Sequence, residues 1–328
     1  MIIMKKYITF VLATMHLLFA CAKPQEAIEQ PEQKKKALVV GYLFASDELL
    51  SAAKRVDFTK ISHLNVAFIN PDAQGNFAPV EGLKEATKLA HDKGVKVFAS
   101  FAGGSPPEHL KTLLQPTQQP ELIEHFAQLI DRYNLDGIDV DLEGDFIDVN
   151  YESFVLALSK MLRSKGKEMT AAVATWTSDR ISDKALSVYD LLHIMSYDHT
   201  GPWNKDKPGP HATYEQMIAD FTHWRDSRKI PANKLVIGVP FYGYGFGDTI
   251  ADDITFKELV TQYPLAADRD EIALQGRGTF YYNGRKTIEK KASYARGQQA
   301  AGIMIWHLLA DAPAPNSLLQ IIVDHLAE

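Results

Sequence analysis

Short apolar segments rich in β-branched residues alternate with longer amphipathic segments from residue 37 onward. Near-continuous apolar runs of this length are typical of parallel strands that are covered on both faces. Apolar residues at helical spacing in the intervening segments predict amphipathic helices. We predict strands at 37–44, 63–70, 95–101, 137–143, 170–176, 191–198, 235–243 and 302–308, and helices that include 82–93, 119–133, 151–165 and 213–227.

Eight strands that alternate with helices over about 290 residues predict an α/β protein with a (β/α)8 barrel. The alternative is a doubly wound open sheet, which would more naturally carry a glycine-rich turn after its first strand. Here the first strand runs into 44–47 (FASD), without such a turn. The longest connection, 244–301, is interpreted as a small insertion at the top of the barrel between strands seven and eight. It contains a helical segment at 255–262 and an aromatic segment at 279–282.

The N-terminal segment has the pattern of a signal peptide. Residues 7–20 are apolar and follow two lysines, and they are too few for a comfortable membrane span. The segment ends in 18–21 (LFAC), which resembles the lipobox of bacterial lipoproteins, and Cys21 is the only cysteine of the chain. We predict a lipoprotein-type signal peptide at 1–21 with lipidation of Cys21. An ordinary signal peptide is the alternative.

Residues 22–36 are polar and charged and contain two prolines, which predicts a linker. The linker would tether a single barrel domain at 37–328 to a membrane through Cys21. We therefore expect an extracytoplasmic protein that is anchored in a bacterial membrane, at the outer membrane or the cell surface.

The charge of the chain limits the kinds of partner that we expect. The formal net charge is −6, and acidic and basic residues are scattered along the sequence. Nothing is basic enough to follow a phosphate backbone, so nucleic acid is not an expected partner. The eleven histidines show no metal-binding spacing, so we predict no metal ligand and no cofactor. We expect a monomer.

The most informative segment is the fourth predicted strand, which carries three acids. Side chains on a strand alternate between its faces, so Asp139, Asp141 and Glu143 share one face while apolar residues occupy the other. In a barrel the acids would point into the interior. Crowded carboxylates cannot all stay ionised, so at least one pKa should rise. Glu143 lies nearest the barrel mouth, where such a carboxyl suits a general acid.

Two other interpretations of these acids exist. They could belong to a strand at an exposed sheet edge, but their apolar neighbours and their position within the strand series argue against that. Three carboxylates on one face could also bind Mg²⁺ or Ca²⁺.

A second catalytic carboxylate is not evident. The seventh strand ends without an acid, and the next one along the chain is Asp248. The sixth strand ends in Asp198 beside Tyr197, which we interpret as orienting groups rather than a nucleophile. The pattern favours a substrate that supplies its own nucleophile, as the carbonyl oxygen of a 2-acetamido sugar can.

Four segments together resemble one family. Residues 135–143 are similar to the D-G-x-D-x-D-x-E signature of family 18 glycoside hydrolases, the chitinases and their relatives. Residues 195–198 resemble the M-x-Y-D of the family's sixth strand, and 238–243 its G-x-P-x-Y-G. Residues 302–306 resemble the eighth strand, which ends in a tryptophan. The resemblance runs in order from about 37 to 326.

The resemblance implies roles for five residues. Glu143 is similar to the family's proton donor. Asp141 would hold the acetamido N–H and stabilise an oxazolinium intermediate, and Asp139 would share a proton with Asp141. Tyr197 would donate a hydrogen bond to the acetamido carbonyl, and Asp198 would help to place the sugar.

Aromatic residues near the strand ends suit the apolar faces of sugars. By the resemblance, Trp306 would form the floor under the sugar at the cleavage point. The predicted substrate-binding residues are Asp198, Trp306, Tyr242, Trp203, Tyr42, Phe68 and Met195. Trp176 is a further candidate, and Trp224, within a helical pattern, is interpreted as structural.

The chain departs from the family pattern at three positions. The S-x-G-G of the third strand appears as 100–104 (SFAGG), one residue longer, which leaves the role of Ser100 open. His307 follows Trp306 where an acid is common, and Tyr244 stands where an arginine is frequent. These differences concern substrate preference rather than the catalytic acid.

The resemblance implies a retaining hydrolase of β-1,4 bonds next to N-acetylglucosamine, in chitin or chito-oligosaccharides. The alternative is an endo-β-N-acetylglucosaminidase that cuts the core of N-glycans, because both activities use the same acidic strand. A binding protein with an inactive site is a different class, but such relatives usually lose the final glutamate, which is present as Glu143. A metal-dependent hydrolase is another, and sensitivity to chelators would reveal it.

Overall fold

The computed structural model of the protein describes residues 37–45 and 48–327. Eight parallel strands form a closed barrel: β1 (Leu38–Phe44), β2 (His63–Ala67), β3 (Lys96–Ala102), β4 (Gly137–Asp141), β5 (Glu168–Val173), β6 (Leu191–Ile194), β7 (Leu235–Pro240) and β12 (Gly302–Trp306). Around the barrel each strand pairs with the next along the chain, and β12 closes it between β7 and β1. The predicted (β/α)8 barrel is confirmed.

Helices occupy the connections between the strands. They are α1 (Leu49–Ala53), α2 (Leu83–His91), α3 (Leu110–Leu113), α4 (Gln119–Tyr133), α5 (Tyr151–Ser164), α6 (Asp183–Ser187), α7 (Tyr214–Thr222), α8 (Phe256–Gln262), α9 (Arg285–Gly297) and α10 (Leu318–Ala327). Phe126 of α4 and Phe154 of α5 pack on Phe101 of β3, with ring centroids 5.1 and 5.9 Å from it. The main apolar core therefore lies between the barrel and its helices. No helix in the described part of the chain is long and apolar enough to span a membrane.

Side chains alternate between the two faces of each strand, and this separates the apolar core from the acidic residues. On β4, Ile138 and Val140 belong to the core outside the barrel, whereas Asp139 and Asp141 point to its inside. A second, smaller apolar cluster that includes Tyr42 and Met304 fills the interior. The acidic strand therefore has the two predicted faces, an apolar face outside the barrel and an acidic face inside it.

Several strands end earlier than predicted, because the chain leaves the sheet to form the loops at the barrel mouth. β4 ends at Asp141, yet Glu143 remains extended (φ −120°, ψ 162°), so the alternation continues to it. β6 ends at Ile194, and the chain then turns to Asp198, which has a φ of 62°. The predicted strand 235–243 divides after Pro240, since proline cannot donate to a continuing ladder.

A second sheet follows β7. Its strands are β8 (Tyr242–Phe246), β9 (Asp253–Thr255), β10 (Glu271–Leu274) and β11 (Gly278–Tyr281), in the order β10-β11-β8-β9 and all antiparallel. The sequence patterns predicted helix α8 and the aromatic segment at β11 but not this sheet. Its strands have three to five residues, and β8 and β11 contain glycines, which weakens any strand signal.

The predictions for residues 1–36 lie outside the described residues. They are the signal peptide at 1–21, the lipidation of Cys21 and the linker at 22–36. These, the anchored location and the monomeric state remain predictions.

Gly137 of the acidic strand is required by the close approach of β5. A Cβ atom here would lie 2.1 Å from the carbonyl oxygen of Glu168 and 2.5 Å from the ring of Phe98. That carbonyl belongs to the backbone and cannot move aside without distorting the barrel. We expect Gly137→Ala to lower the free energy of unfolding by about 1–3 kcal/mol, measured by denaturant titration.

Gly297, at the end of α9, offers a matched control. A Cβ atom there would meet no other atom within 4 Å. Gly297→Ala should leave the free energy of unfolding unchanged or raise it by up to about 1 kcal/mol. If both variants unfolded at the same denaturant concentration, the close approach at Gly137 would not matter.

Candidate active site

A cavity of about 1140 Å³ opens where the barrel strands end at their carboxyl termini. Four carboxylates line it, those of Asp141, Glu143, Asp198 and Asp220. Active sites of (β/α)8 barrels lie at this end of the barrel. The position and the acidic lining both indicate the candidate active site.

Beneath the cavity, Asp139 is fully buried and its carboxylate is held by three hydroxyl groups. Tyr42 and Ser100 donate to Oδ2 at 2.6 and 2.8 Å, and Thr170 donates to Oδ1 at 2.6 Å. The Nδ1 of His193 lies 3.4 Å from Oδ1. Burial alone would raise the pKa of Asp139, but the hydrogen bonds, with His193 contributing most, hold it below its ordinary value. Asp139 is therefore a fixed negative charge under the site.

Asp141 lies two residues further along β4, nearer the barrel mouth, and its pKa is shifted in the opposite direction to that of Asp139. Burial, followed by the negative charges of Glu143 and Asp139, raises its pKa well above the ordinary value. Its Oδ1 is buried and has no hydrogen-bond partner among the described residues. The hydrogen bonds of Asp139 go to Tyr42, Ser100 and Thr170, and its negative charge contributes to the raised pKa of Asp141. The sharing of a proton between Asp139 and Asp141 stays a prediction. Asp141 Oδ1 is thus an acceptor without a partner in a residue that lines the cavity.

Glu143 completes the row at the cavity wall. Burial, and then the negative charge of Asp198, raise the pKa of Glu143 to about 7. Its Oε1 would lie 3.3 Å from a Cβ atom placed on Gly104, so the glycines after β3 leave room for this carboxyl. A carboxyl that titrates near neutral pH can both give and take a proton. The prediction that at least one of the crowded acids has a raised pKa is confirmed for Asp141 and Glu143.

Asp198 is held from two sides. Its carboxylate accepts a hydrogen bond from the hydroxyl of Tyr242, and Oδ1 lies 3.2 Å from Nδ1 of the buried His211. Nearby, burial and then the charge of Asp141 raise the pKa of Tyr197 well above its ordinary value. The Tyr197 hydroxyl therefore keeps its proton and is a hydrogen-bond donor at the cavity wall.

Aromatic rings form one side of the cavity. Trp306 stacks on Phe68, with centroids 5.6 Å apart and planes 24° apart, and its centroid lies 5.4 Å from that of Tyr42. Trp176 and Trp203 also line the cavity and are 68% and 64% exposed. Exposed indoles on a cavity wall are suited to stacking on the apolar face of a sugar.

Most of the predicted site residues meet at this cavity. Those that line it are Tyr42, Phe68, Asp141, Glu143, Met195, Tyr197, Asp198, Trp203 and Trp306. Asp139 lies below it, and Tyr242 holds Asp198 from behind instead of forming the wall. Trp224 is fully buried, as predicted for a structural residue.

Several functional neighbours were not predicted from the sequence. His193 could have been found, since it shares the inward face of its segment with Met195 and Tyr197. Ser100, whose role was open, donates to Asp139. Asp220 of α7 lines the cavity and lies 3.1 Å from Nε2 of His199, a contact that no local pattern signals.

Within 37–45 and 48–327, no group of three or more His, Cys, Asp or Glu side chains is arranged to hold a metal ion.

Known proteins share this fold and sequence pattern. The chain is 37% identical to a family 18 chitinase from the chitin utilization locus of Flavobacterium johnsoniae, with a TM-score of 0.81 over 89% of this chain and 94% of that one. A chitinase from Bacteroides thetaiotaomicron is 28% identical, with a TM-score of 0.78 over 88% and 96% of the two chains.

Longer relatives are matched over part of their length. The chain is 28% identical to the endochitinase of Manduca sexta in an alignment that covers 69% of this chain and 52% of the relative. The chain thus spans about half the length of the curated relatives it matches first. The sequence model of Glycosyl hydrolases family 18 matches residues 38–311, which include the acidic strand and every residue that lines the cavity. The chain therefore belongs to glycosyl hydrolase family 18.

Proposed function

We propose that this protein hydrolyses β-1,4 bonds next to N-acetylglucosamine in chitin or chito-oligosaccharides, with Glu143 as general acid and base. The observation that carries the proposal is the carboxyl of Glu143 at the cavity wall, with a pKa raised to about 7. The two solved structures described above are named as chitinases, which supports the substrate class.

Glu143 acts twice in the proposed reaction. Below about pH 7 it is protonated, and it gives this proton to the oxygen of the leaving sugar as the glycosidic bond breaks. As a carboxylate it then takes a proton from the water that attacks the same carbon. Two successive displacements at one carbon retain its configuration.

The substrate supplies the nucleophile in this proposal. Asp141 lies deeper in the barrel than Glu143 and has one unpaired oxygen, and we assign it to the acetamido group rather than to the anomeric carbon. The acetamido carbonyl oxygen attacks the anomeric carbon instead and forms a cyclic oxazolinium ion. Asp141 Oδ1 accepts a hydrogen bond from the acetamido N–H, and the Tyr197 hydroxyl donates a hydrogen bond to the carbonyl oxygen while keeping its proton.

We expect Asp198, together with the burial of Glu143, to set the upper pH limit of the activity. Its negative charge disfavours the ionised form of Glu143 and so raises the pKa of that carboxyl. A general acid is lost as the pH rises through its pKa, so kcat/KM of the wild type should fall above about pH 7. Asp198→Asn removes the charge, and the descending limb should move to lower pH. An unchanged limb in the kcat/KM profile would show that Asp198 does not act on Glu143.

The substrate is tested by product analysis. The protein and its Glu143→Gln variant are incubated with chito-oligosaccharides and with a high-mannose N-glycopeptide, and the products are weighed by mass spectrometry. Cleavage of the oligosaccharides by the wild type alone supports the proposal. Cleavage of the glycopeptide alone, between its two core sugars, identifies an endo-β-N-acetylglucosaminidase. Cleavage of neither contradicts the proposed substrate class, and equal cleavage by the variant contradicts the role of Glu143.

A further inference from the structure

Helix α9 carries a lysine, Lys291, that is fully buried. Lysine side chains are almost never buried completely unless they are paired. Burial lowers the pKa of Lys291 to about 7, although the charges of Asp270, Asp220 and Glu215 act in the opposite direction. None of the roles proposed above uses this side chain.

Two acceptors hold the amino group of Lys291. Nζ donates to the carbonyl oxygen of Ala212 at 2.8 Å and to Oδ1 of Asn283 at 2.7 Å. Asn283 lies between β11 and α9, and its Nδ2 donates to the same carbonyl of Ala212 at 2.8 Å. That carbonyl therefore accepts two hydrogen bonds from side chains that follow the second sheet. A neutral amine keeps two N–H groups, so both bonds of Lys291 are retained when it loses its proton.

Ala212 belongs to the loop that carries Asp198. This loop, 195–213, connects β6 to α7, and Ala212 directly follows His211 in it. Nδ1 of His211 lies 3.2 Å from Oδ1 of Asp198, and the carbonyl of His211 accepts a hydrogen bond from the backbone N–H of His199 at 3.1 Å. The backbone at Ala212 therefore sets where the imidazole that contacts Asp198 lies.

The ring of His211 also packs against β8. Its centroid lies 5.1 Å from that of Tyr242 and 4.8 Å from that of Tyr244. The His211 side chain is fully buried, whereas that of Asp198 is 41% exposed. Water therefore reaches Asp198, and the contact with His211 limits how far its carboxylate can move toward the solvent.

We infer that Lys291 and Asn283 are positioning residues of the active site. By binding the backbone beside His211, they hold this imidazole against Asp198. They thereby keep the negative charge of Asp198 close to Glu143. Neither Lys291 nor Asn283 lines the cavity, so both act through the loop rather than on the substrate. The inference rests on the proposed function.

The sign of a pKa change separates this role from a direct effect of charge. Loss of a nearby positive charge would raise the pKa of Glu143, whereas a weaker influence of Asp198 would lower it. The ionisable groups that face Asp198 come from the segment after β4, the loop after β6 and strand β8. They are Glu143, Tyr197, His211, Tyr242 and Tyr244.

Lys291→Met in the full chain tests the inference, because methionine has a similar length but no N–H donor. The Asp198 carboxylate is then held less firmly, and water screens its charge from Glu143. The descending limb of kcat/KM on the hexasaccharide of β-1,4-linked N-acetylglucosamine should move to lower pH by roughly 0.3–1 unit. Asn283→Ala removes one donor to the same carbonyl and should move the limb in the same direction.

Lys290→Met is the matched control, since Lys290 is the exposed neighbour of Lys291 on α9. It should leave the limb where it is in the wild type. A second comparison places Lys291→Met in the Asp198→Asn protein, where the limb should move no further because the charge is already absent.

A limb that stays in place or moves to higher pH in Lys291→Met would overturn the positioning role, and so would a further shift in the Asp198→Asn protein. The proposed function would stand in both cases, because the wild type cuts the hexasaccharide. If circular dichroism shows that Lys291→Met does not fold, Asn283→Ala decides by the same outcomes. A wild type that does not cut the hexasaccharide would overturn the proposed function and the positioning role together.

Discussion

Replacing Glu143 by glutamine is expected to reduce kcat on chito-oligosaccharides by about 10²–10⁴-fold, the range for loss of a positioned general acid. Glutamine keeps the shape of the side chain but cannot give a proton to the leaving oxygen. KM should change little, because the Glu143 side chain forms no hydrogen bond with the described residues and glutamine keeps its shape at the cavity wall. The measurement is the initial rate of product formation near pH 6, where the wild-type carboxyl is protonated.

Asp145 is a matched control two residues further along the chain. Its side chain is 85% exposed, pairs with Arg180 at 3.3 Å and does not line the cavity. Asp145→Asn should retain the wild-type rate. If Glu143→Gln retained a tenth or more of the wild-type kcat, another group would have to be the acid.

Asp141→Asn is expected to reduce kcat by about 10²–10³-fold, as removal of one preorganised partner of a developing charge does in other enzymes. The amide keeps the volume, but it removes the carboxyl that would face the positively charged oxazolinium ion. The NH₂ group of the asparagine can also turn toward the acetamido N–H, so that two hydrogen-bond donors face each other. This position is buried, because Asp141 Oδ1 is buried and has no hydrogen-bond partner among the described residues. Steady-state kinetics that separate kcat from KM provide the measurement.

A substrate with a 2-hydroxyl in place of the 2-acetamido group separates the two possible nucleophiles. The wild type should not cut it, since the nucleophile is missing. If it were cut with retention, a protein carboxylate such as Asp141 would be the nucleophile, and the proposed role of the acetamido group would be wrong.

The local alternation of side chains explains why so much could be predicted. The period of two along a strand is a property of the chain itself, so the placement of Asp139, Asp141 and Glu143 on one inward face followed from their spacing. The number and order of apolar segments likewise indicated the barrel. The strands of the second sheet are only three to five residues long, and the pairing of β11 with β8 joins residues far apart in the sequence.

The sequence by itself therefore determined the barrel, the acidic row and its order toward the mouth. Only the tertiary structure decided what each acid does, because a pKa depends on neighbours from other strands. Three hydroxyls and His193, from β1, β3, β5 and β6, hold Asp139 ionised, whereas burial without such partners raises the pKa of Asp141. Tertiary structure also placed Tyr242 behind Asp198, since it brings β8 beside the loop that follows β6.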